Sequence, residues 1–233
     1  MKENLDNLTR AEKIDYYSRL SNIPCIKNGN GKVGAAALTW SLPVEMTCRK
    51  DAPCYVNKVC YCLKGNQAFA NVCGAYYRNW RLYNEDPVKY ERDCRYIIEM
   101  SGLKLVRLQD AGDFPDVEYL ELVIRVAKAL PDVRFLAYTK KYEMVNEWLS
   151  RGNTFPDNFT MRFSYCDKNW EVPNPYNLPH AYIDFKDKSL NPEIPKNAYR
   201  CRGTANPDDT EHTCSICQMC WRKNVQNVVF DQH

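Results

Sequence analysis

The sequence predicts an α/β fold, a parallel-sheet (β/α) partial barrel with cysteine-rich metal-binding loops. Two patterns predict it. Apolar, strand-like segments alternate with segments of helical period through the middle of the chain, the order that builds parallel sheets with right-handed crossovers. Most of the twelve cysteines fall into two groups, one in a loop after the first apolar strand and one near the C-terminus. With 233 residues and 45% hydrophobic content the chain can bury one full-sized core. It reads as a single domain, 1–233, containing an N-terminal cysteine loop at 44–65 and a C-terminal cysteine segment at 199–222.

Taken in order, Arg10 to Leu20 forms a short amphipathic helix closed by the turn around Pro24, and Lys27 to Lys32 is a Gly/Asn-rich loop. "AAALTWSLP", Ala35 to Pro43, is uncharged and stops at a proline, which suits a buried strand. The polar stretch holding Cys48, Cys54, Cys60 and Cys62 has no clear period and reads as a long loop. Helical spacing returns from Asn66 to about Tyr83 and from Pro87 to Met100, with Pro87 suited to a first helical turn. "LKLVRLQ" then alternates like a strand, "PDVEYLELVIRVAKAL" is an amphipathic helix and "VRFLAYT" a strand, giving a βαβ unit. A helix ending at Gly152, strands "NFTMRFSY" and "HAYIDF", and a last strand "NVVFD" complete the pattern. Periodicity alone does not distinguish an open sheet from a curved partial barrel, but in both the chemistry sits at the C-terminal strand ends.

Composition narrows the function classes. No run of about eighteen apolar residues exists, so no membrane partner is expected. The N-terminus is polar and lacks a signal-peptide-like stretch, so a cytoplasmic, reducing location is expected, where cysteines serve as thiols and metal ligands rather than disulfides. The net charge is +3, with 32 basic and 29 acidic residues interspersed, which gives no broad footprint for nucleic acid. Neither repeats nor a Walker loop, a dinucleotide GxGxxG following a strand or a nucleophile elbow is present.

The strongest motif is "TCSICQMC". Cys214, Cys217 and Cys220 recur every third residue, and Cys201 precedes them across a loop with turn formers Gly203, Asn206, Pro207 and Asp208. A close trio with one remote cysteine is the ligand logic of a 4Fe-4S cluster. Structural zinc sites more often pair two separated C-x2-C knuckles, so zinc stands as the alternative. Trp221 either shields sulfur from water or anchors the core. Cys48, Cys54 and Cys60 step by six residues and could hold three irons of a second cubane, leaving one iron open. Participation of Cys62 would instead close the site.

Among other residues, Thr139 and Lys140 end the third strand, where a parallel sheet presents chemistry. Asp110 faces the same crevice, and Arg107 alternates with apolar neighbours, as in a buried ion pair. Asp110, Asp113 and Lys140 are the candidate catalytic residues. The aromatics of "AYYRNWRLY" recur at helical spacing and read as core packing rather than a base-stacking platform. Cys25, Cys73, Cys94 and Cys166 stand alone and read as buried small hydrophobes, with Cys166 the exception to watch because it lies just past a strand end.

"WSLPVEMTC", the cysteines ending in "CYC", "RLQDAGDF", "AYTK" and "CSICQMCW" together resemble the phage gene product 88 family of cysteine-rich proteins, over Trp40 to Trp221. More distantly, the order of features is similar to radical S-adenosylmethionine enzymes: a partial barrel, three cysteines after the first strand and an aromatic, here Tyr61, beside the third. That resemblance implies that Gly112 and Asp113 hold the amino group of S-adenosylmethionine and that Ser164 contacts its ribose or carboxylate. The cysteine gaps of five and five residues depart from that superfamily's three and two. Asp113 is also placed to cap the following helix.

The resulting expectation is an iron–sulfur protein with redox or radical chemistry, a radical S-adenosylmethionine-like oxidoreductase in the enzyme reading. It would have an open N-terminal cluster and a C-terminal auxiliary cluster held by Cys201, Cys214, Cys217 and Cys220. An electron donor such as ferredoxin or flavodoxin is the partner, and the host cytoplasm the location if the chain is phage-encoded. A noncatalytic zinc-binding interaction or nucleic-acid-binding module is the alternative. One larger cluster joining both cysteine groups is a third arrangement.

Overall fold

Local patterning becomes structure first at the N-terminus. In the computed structural model, which describes residues 5–29, 33–205 and 212–232, helix α1 (Arg10–Arg19) starts at a capping box in which Thr9 and Glu12 satisfy each other's backbone N–H groups. Strand β1 (Ile26–Asn28) follows and pairs antiparallel with β2 (Leu38–Trp40). The expected strand from Ala35 is shorter than its apolar run, because Ala35 and Ala36 lie in a turn closed by the Ala37 N–H on the Gly34 carbonyl. Part of the expected Lys27–Lys32 loop, residues 30–32, lies outside the described residues, as do the turn formers Asn206, Pro207 and Asp208.

The cysteine loop is not irregular throughout. It contains the short helices α2 (Val44–Thr47) and α3 (Pro53–Val56), the latter opened by Pro53. Helices α4 (Ala70–Glu85) and α5 (Pro87–Ser101) meet at Asp86, whose side chain caps α5. The alternating unit then runs as β3 (Leu105–Leu108), α6 (Val117–Ala129), β4 (Arg134–Thr139), α7 (Tyr142–Ser150) and β5 (Phe159–Tyr165). After β6 (His180–Asp184) come β7 (Tyr199–Arg200), α8 (Arg202–Ala205), α9 (Cys214–Cys217) and β8 (Asn227–Asp231). Asp116 caps α6 by accepting from the Tyr119 N–H at 2.7 Å; the capping role expected of Asp113 is therefore filled three residues later.

These strands form one eight-stranded sheet in the order β1-β2-β3-β4-β5-β6-β8-β7, and every pairing except β1 with β2 is parallel. The protein is thus a mixed α/β fold on a mostly parallel sheet. From β2 to β6 each new parallel strand is added beside the previous one, so the loops at their C-terminal ends line up in chain order. Among the described residues no helix is long and apolar enough to cross a membrane.

The two sheet faces are covered differently. Leu38, Trp40, Val106, Leu108, Phe135, Ala137, Phe159, Met161 and Phe163 share the main core with the apolar stripes of α5, α6 and α7. Against the opposite face, where Leu105 and Leu136 project, packs the C-terminal cysteine segment through Trp221, Cys214 and Cys220. At the heart of the main core the rings of Trp40, Tyr83, Tyr90 and Tyr119 meet mostly edge to face. Their polar atoms are satisfied internally: the Trp40 Nε1–H donates to the Tyr90 hydroxyl at 2.7 Å, and Tyr83 donates to Asp116 at 2.8 Å.

Replacing Tyr90 by Phe removes the acceptor of the buried indole N–H without making a large cavity. A loss of about 1–3 kcal/mol is expected from the unsatisfied donor, read as a lower urea midpoint with an unchanged m-value.

Candidate functional site

The loops at the C-terminal strand ends are drawn together by one buried carboxylate. Asp113, 5% exposed beyond β3, accepts from the Thr139 hydroxyl at 2.6 Å, from the Lys140 backbone N–H at 2.9 Å and from its neighbour Phe114 at 2.8 Å. Its own N–H donates to the Thr47 hydroxyl at 3.0 Å, so the ends of β3 and β4 and helix α2 are joined at one residue. Gly112 makes this approach possible. Its φ is +81°, and a Cβ there would fall on the Leu42 carbonyl oxygen, so both the backbone conformation and the space require glycine. Gly112 and Asp113 are thus engaged with the chain's own backbone and hydroxyls.

Around this joint stand the N-terminal cysteines. Cys48 follows α2 directly and has Asp113, Lys140, Cys60 and Cys54 as electrostatic neighbours; burial pushes its thiol up. Cys54 on α3 is lowered to about 6, chiefly by a hydrogen bond from the Cys166 thiol and further by the Lys140 ammonium. Cys60 is lowered to about 7, chiefly by the neighbouring Cys62 side chain. The partners move the other way: Cys62 is raised by its nearness to Cys60 and by burial, and Cys166 by its nearness to Cys54 and by burial. Burial works against the Lys140 charge, yet the neighbouring Cys54, Cys166, Tyr142 and Asp113 outweigh it and hold the ammonium above its ordinary range.

Cys62 and Cys166 occupy different surroundings. The Cys62 thiol donates to the Asp110 carbonyl at 3.4 Å and packs among Val44 and Ala111, while the Tyr61 hydroxyl donates to the same carbonyl. Cys166, 1% exposed just beyond β5, faces Cys54 and Lys140. The cysteine loop is held toward that side by Arg49, which pairs with Glu143 on α7 at 2.7 Å and lies over the Trp170 ring at 4.9 Å. Ser164 is buried near the end of β5, where its carbonyl accepts from the Tyr142 hydroxyl.

The C-terminal set is gathered on the opposite sheet face. Cys201, Cys217 and Cys220 are electrostatic neighbours of Cys214, whose thiol burial pushes up to about 11 against the pull of Arg107. Cys220 is raised by burial and opposed by Arg162 and by the Tyr138 hydroxyl, and Cys217 lies 3.3 Å from the Tyr199 hydroxyl. Trp221 anchors the segment, its Nε1–H donating to the carbonyls of Arg134 at 3.1 Å and Val106 at 3.3 Å. It serves as a core anchor and packs beside Cys214 and Cys220.

Two guanidiniums of this face serve the set, one fully buried and one half-buried. Arg162, fully buried on β5, donates to the carbonyls of Cys220 at 2.9 Å and Arg222 at 3.0 Å. Arg107 forms the expected ion pair with Asp110 at 3.6 Å, lies over the Tyr138 ring at 4.8 Å and reaches toward Cys214. Since the Asp110 carbonyl receives Cys62 and Tyr61, Arg107 and Asp110 link the two cysteine groups along β3. Of the residues singled out in the sequence, Cys48, Cys54, Cys60, Asp113 and Lys140 are brought together, and Cys201, Cys214, Cys217 and Cys220 form the other group. Among the described residues no group of three or more His, Cys, Asp or Glu side chains could hold a metal ion as the side chains stand.

Fold and site together define a mixed α/β protein whose mostly parallel sheet carries cysteines outside any disulfide at its strand ends and on one face. The chain belongs to the gene product 88 family, which matches residues 9–223. It is 26% identical over 220 residues to the "Gene 88 protein" of Mycobacterium phage L5, covering 85% of this chain and 89% of that protein. No solved structure matches it.

Gly112→Ala should part α2 from the β3 end, through the strained left-handed backbone and the clash at Leu42. A loss of at least about 2 kcal/mol is expected, measured by thermal or urea unfolding.

Proposed function

We propose that this is an iron–sulfur protein of the redox class, with one centre on Cys201, Cys214, Cys217 and Cys220 and a second at the strand ends around Cys48, Cys54 and Cys60. The observation that carries the reading is the fully buried Arg162 beneath Cys220. Backbone carbonyls solvate its guanidinium but do not neutralise it, and a buried cation without a countercharge is strongly destabilising. Thiolates beside it supply that charge, and a tetrathiolate metal centre supplies it permanently. The spacing of a close trio plus one remote cysteine favours a cubane cluster over a single zinc ion, the alternative that shares the same donors.

Such a cluster supplies one-electron transfer when bound. The chain's own residues would set its character. Arg107 and Arg162 favour the anionic state, the hydroxyls of Tyr138 and Tyr199 stand beside the sulfurs of Cys220 and Cys217, and Trp221 limits water. The sequential parallel strand order is in keeping with a partial barrel open toward the C-terminal segment. Use of S-adenosylmethionine finds less support, because Gly112 and Asp113 are already engaged within the chain. A small electron donor of the ferredoxin or flavodoxin kind fits this reading as partner.

Anaerobic purification followed by iron and acid-labile sulfide analysis tests the proposal. Both elements should be present in cluster stoichiometry with visible charge-transfer absorbance, and Cys217→Ser should lower all three. A colourless, zinc-replete protein would reject it. In the holoprotein, Arg162→Met should move the C-terminal centre's reduction potential to more negative values, since adding an electron is harder once the neighbouring positive charge is gone. Protein-film voltammetry reads that shift.

A further inference from the structure

We propose that Arg107, Gln109 and Tyr138, at the C-terminal ends of β3 and β4, bind a small carboxylic acid that bears a hydroxyl or amine beside its carboxylate. Such a site lies beyond the iron–sulfur reading and does not depend on it.

Several hydrogen-bonding groups go unanswered here. The Arg107 Nε–H, the Tyr138 hydroxyl and both polar atoms of the Gln109 amide are buried without a hydrogen-bond partner among the described residues. Buried polar groups are rarely left so, and each costs about 1–3 kcal/mol while unsatisfied. Asp110 stands 3.6 Å from the Arg107 Nε, near enough to attract the charge but outside hydrogen-bonding reach. The hydroxyls of Tyr83, Tyr90 and Tyr142, by contrast, all meet partners inside the protein.

Strand register brings the orphaned groups to one place. Arg107 pairs with Leu136 and Tyr138 with Arg162. Two residues past Arg107 the chain therefore sets Gln109 level with Tyr138, on strands about 4.8 Å apart. The Arg107 guanidinium lies over the Tyr138 ring at 4.8 Å. On the other side of Tyr138 stands Arg162, whose backbone-carbonyl partners leave its charge unneutralised.

Gln109 is also strained. Its φ is +55°, with its N–H fixed on the Trp40 carbonyl at 2.9 Å and the residue 5% exposed. A left-handed backbone outside glycine costs on the order of 1 kcal/mol, and such residues gather at ligand sites. An ordered water would satisfy stray donors, but it gives no reason to hold a strained glutamine at the end of a parallel strand, where these sheets bind ligands. Arg107 and Tyr138 offer an N–H and an O–H to a carboxylate, in a setting of two guanidiniums against the one carboxylate of Asp110. Gln109 adds a donor, Nε2, and an acceptor, Oε1, which calls for a hydroxyl or ammonium on the ligand. A small acid with that donor next to its carboxylate answers all four atoms at once.

Isothermal titration calorimetry on full-length, anaerobically prepared protein tests this with glycolate, glycine, acetate and inorganic phosphate, each against sodium chloride at equal ionic strength. Glycolate or glycine should bind saturably at one site per chain, about fivefold or more tighter than acetate, which lacks the second group. Tyr138→Phe and Gln109→Met should each weaken that binding about tenfold or more, whereas Tyr96→Phe, exposed on α5, should not. If Gln109→Met fails to fold, Gln109→Asn, which accepts a positive φ, takes its place. Without ligand, Tyr138→Phe should keep or raise the urea midpoint, because its hydroxyl has no partner to lose; a lowered midpoint counts against the site. No heat beyond the chloride control, acetate bound as tightly as glycolate and glycine, phosphate bound more tightly than either, or binding untouched by Tyr138→Phe and the Gln109 variant overturns the assignment. Iron and sulfide per chain, measured on the same samples, judge the cluster separately: saturable binding in iron-free protein sustains this site and rejects the cluster, and a cluster without binding does the reverse.

Discussion

The arrangement of the strand ends depends on one buried carboxylate. Asp113, on the loop after β3, accepts two hydrogen bonds from the end of β4 and gives its own N–H to Thr47 of α2. Burial raises its proton affinity and the donors around it oppose that, so its charge is tolerated because the loops are in place. The loops in turn are in place because the charge must be satisfied. Remove this joint and Cys48, Lys140 and the end of β4 have no common reference point.

A second organising feature is the placement of cations under sulfur. Arg162, fully buried, and the half-buried Arg107 and Lys140 each stand beside cysteines. Enclosed guanidinium and ammonium groups are costly unless an anion is close. The fold thus places positive charge at both thiol groups, which opposes the upward push of burial on Cys48, Cys214 and Cys220. Arg107 on β3 and Asp110 just beyond its end run between them, so the two groups are linked through one ion pair.

The main layers were legible in the sequence because their signals are local. Helices α5 and α6 and strands β3 to β6 follow from apolar periods that survive in the structure almost unchanged. The elements that were missed are those whose reason is tertiary. β1 exposes Lys27 and Asn28 and β7 is two residues long, so neither carries an apolar pattern, and both exist because a sheet edge was available to pair with. The loop after β2 looked irregular because α2 and α3 are single turns held by Thr47, Asp113 and Pro53 rather than by an amphipathic stripe. For the site, the cysteine spacing identified the two groups, while the partnership of Cys54 with Cys166 needed the sheet: the two are separated by three strands of chain, and only parallel register brings their loops to one end. The crossover from β5 to β6 carries no α-helix, as the two successive strand segments in the sequence indicate.

Gly34 gives the C-terminal segment a docking notch. At φ +86° it leaves room only because it has no Cβ, which would strike the Ser215 hydroxyl, and the Ser215 N–H donates to the Val33 carbonyl at 2.9 Å. Residues near position 34 must therefore wait for residues near position 215 before either is finished. On a ribosome the residues around Gly34 emerge about 180 positions ahead of Ser215, so this notch stands open until the later cysteine segment arrives to fill it. The packing of Trp221 and Cys214 against β3 and β4 is thereby made conditional on a turn laid down early in the chain.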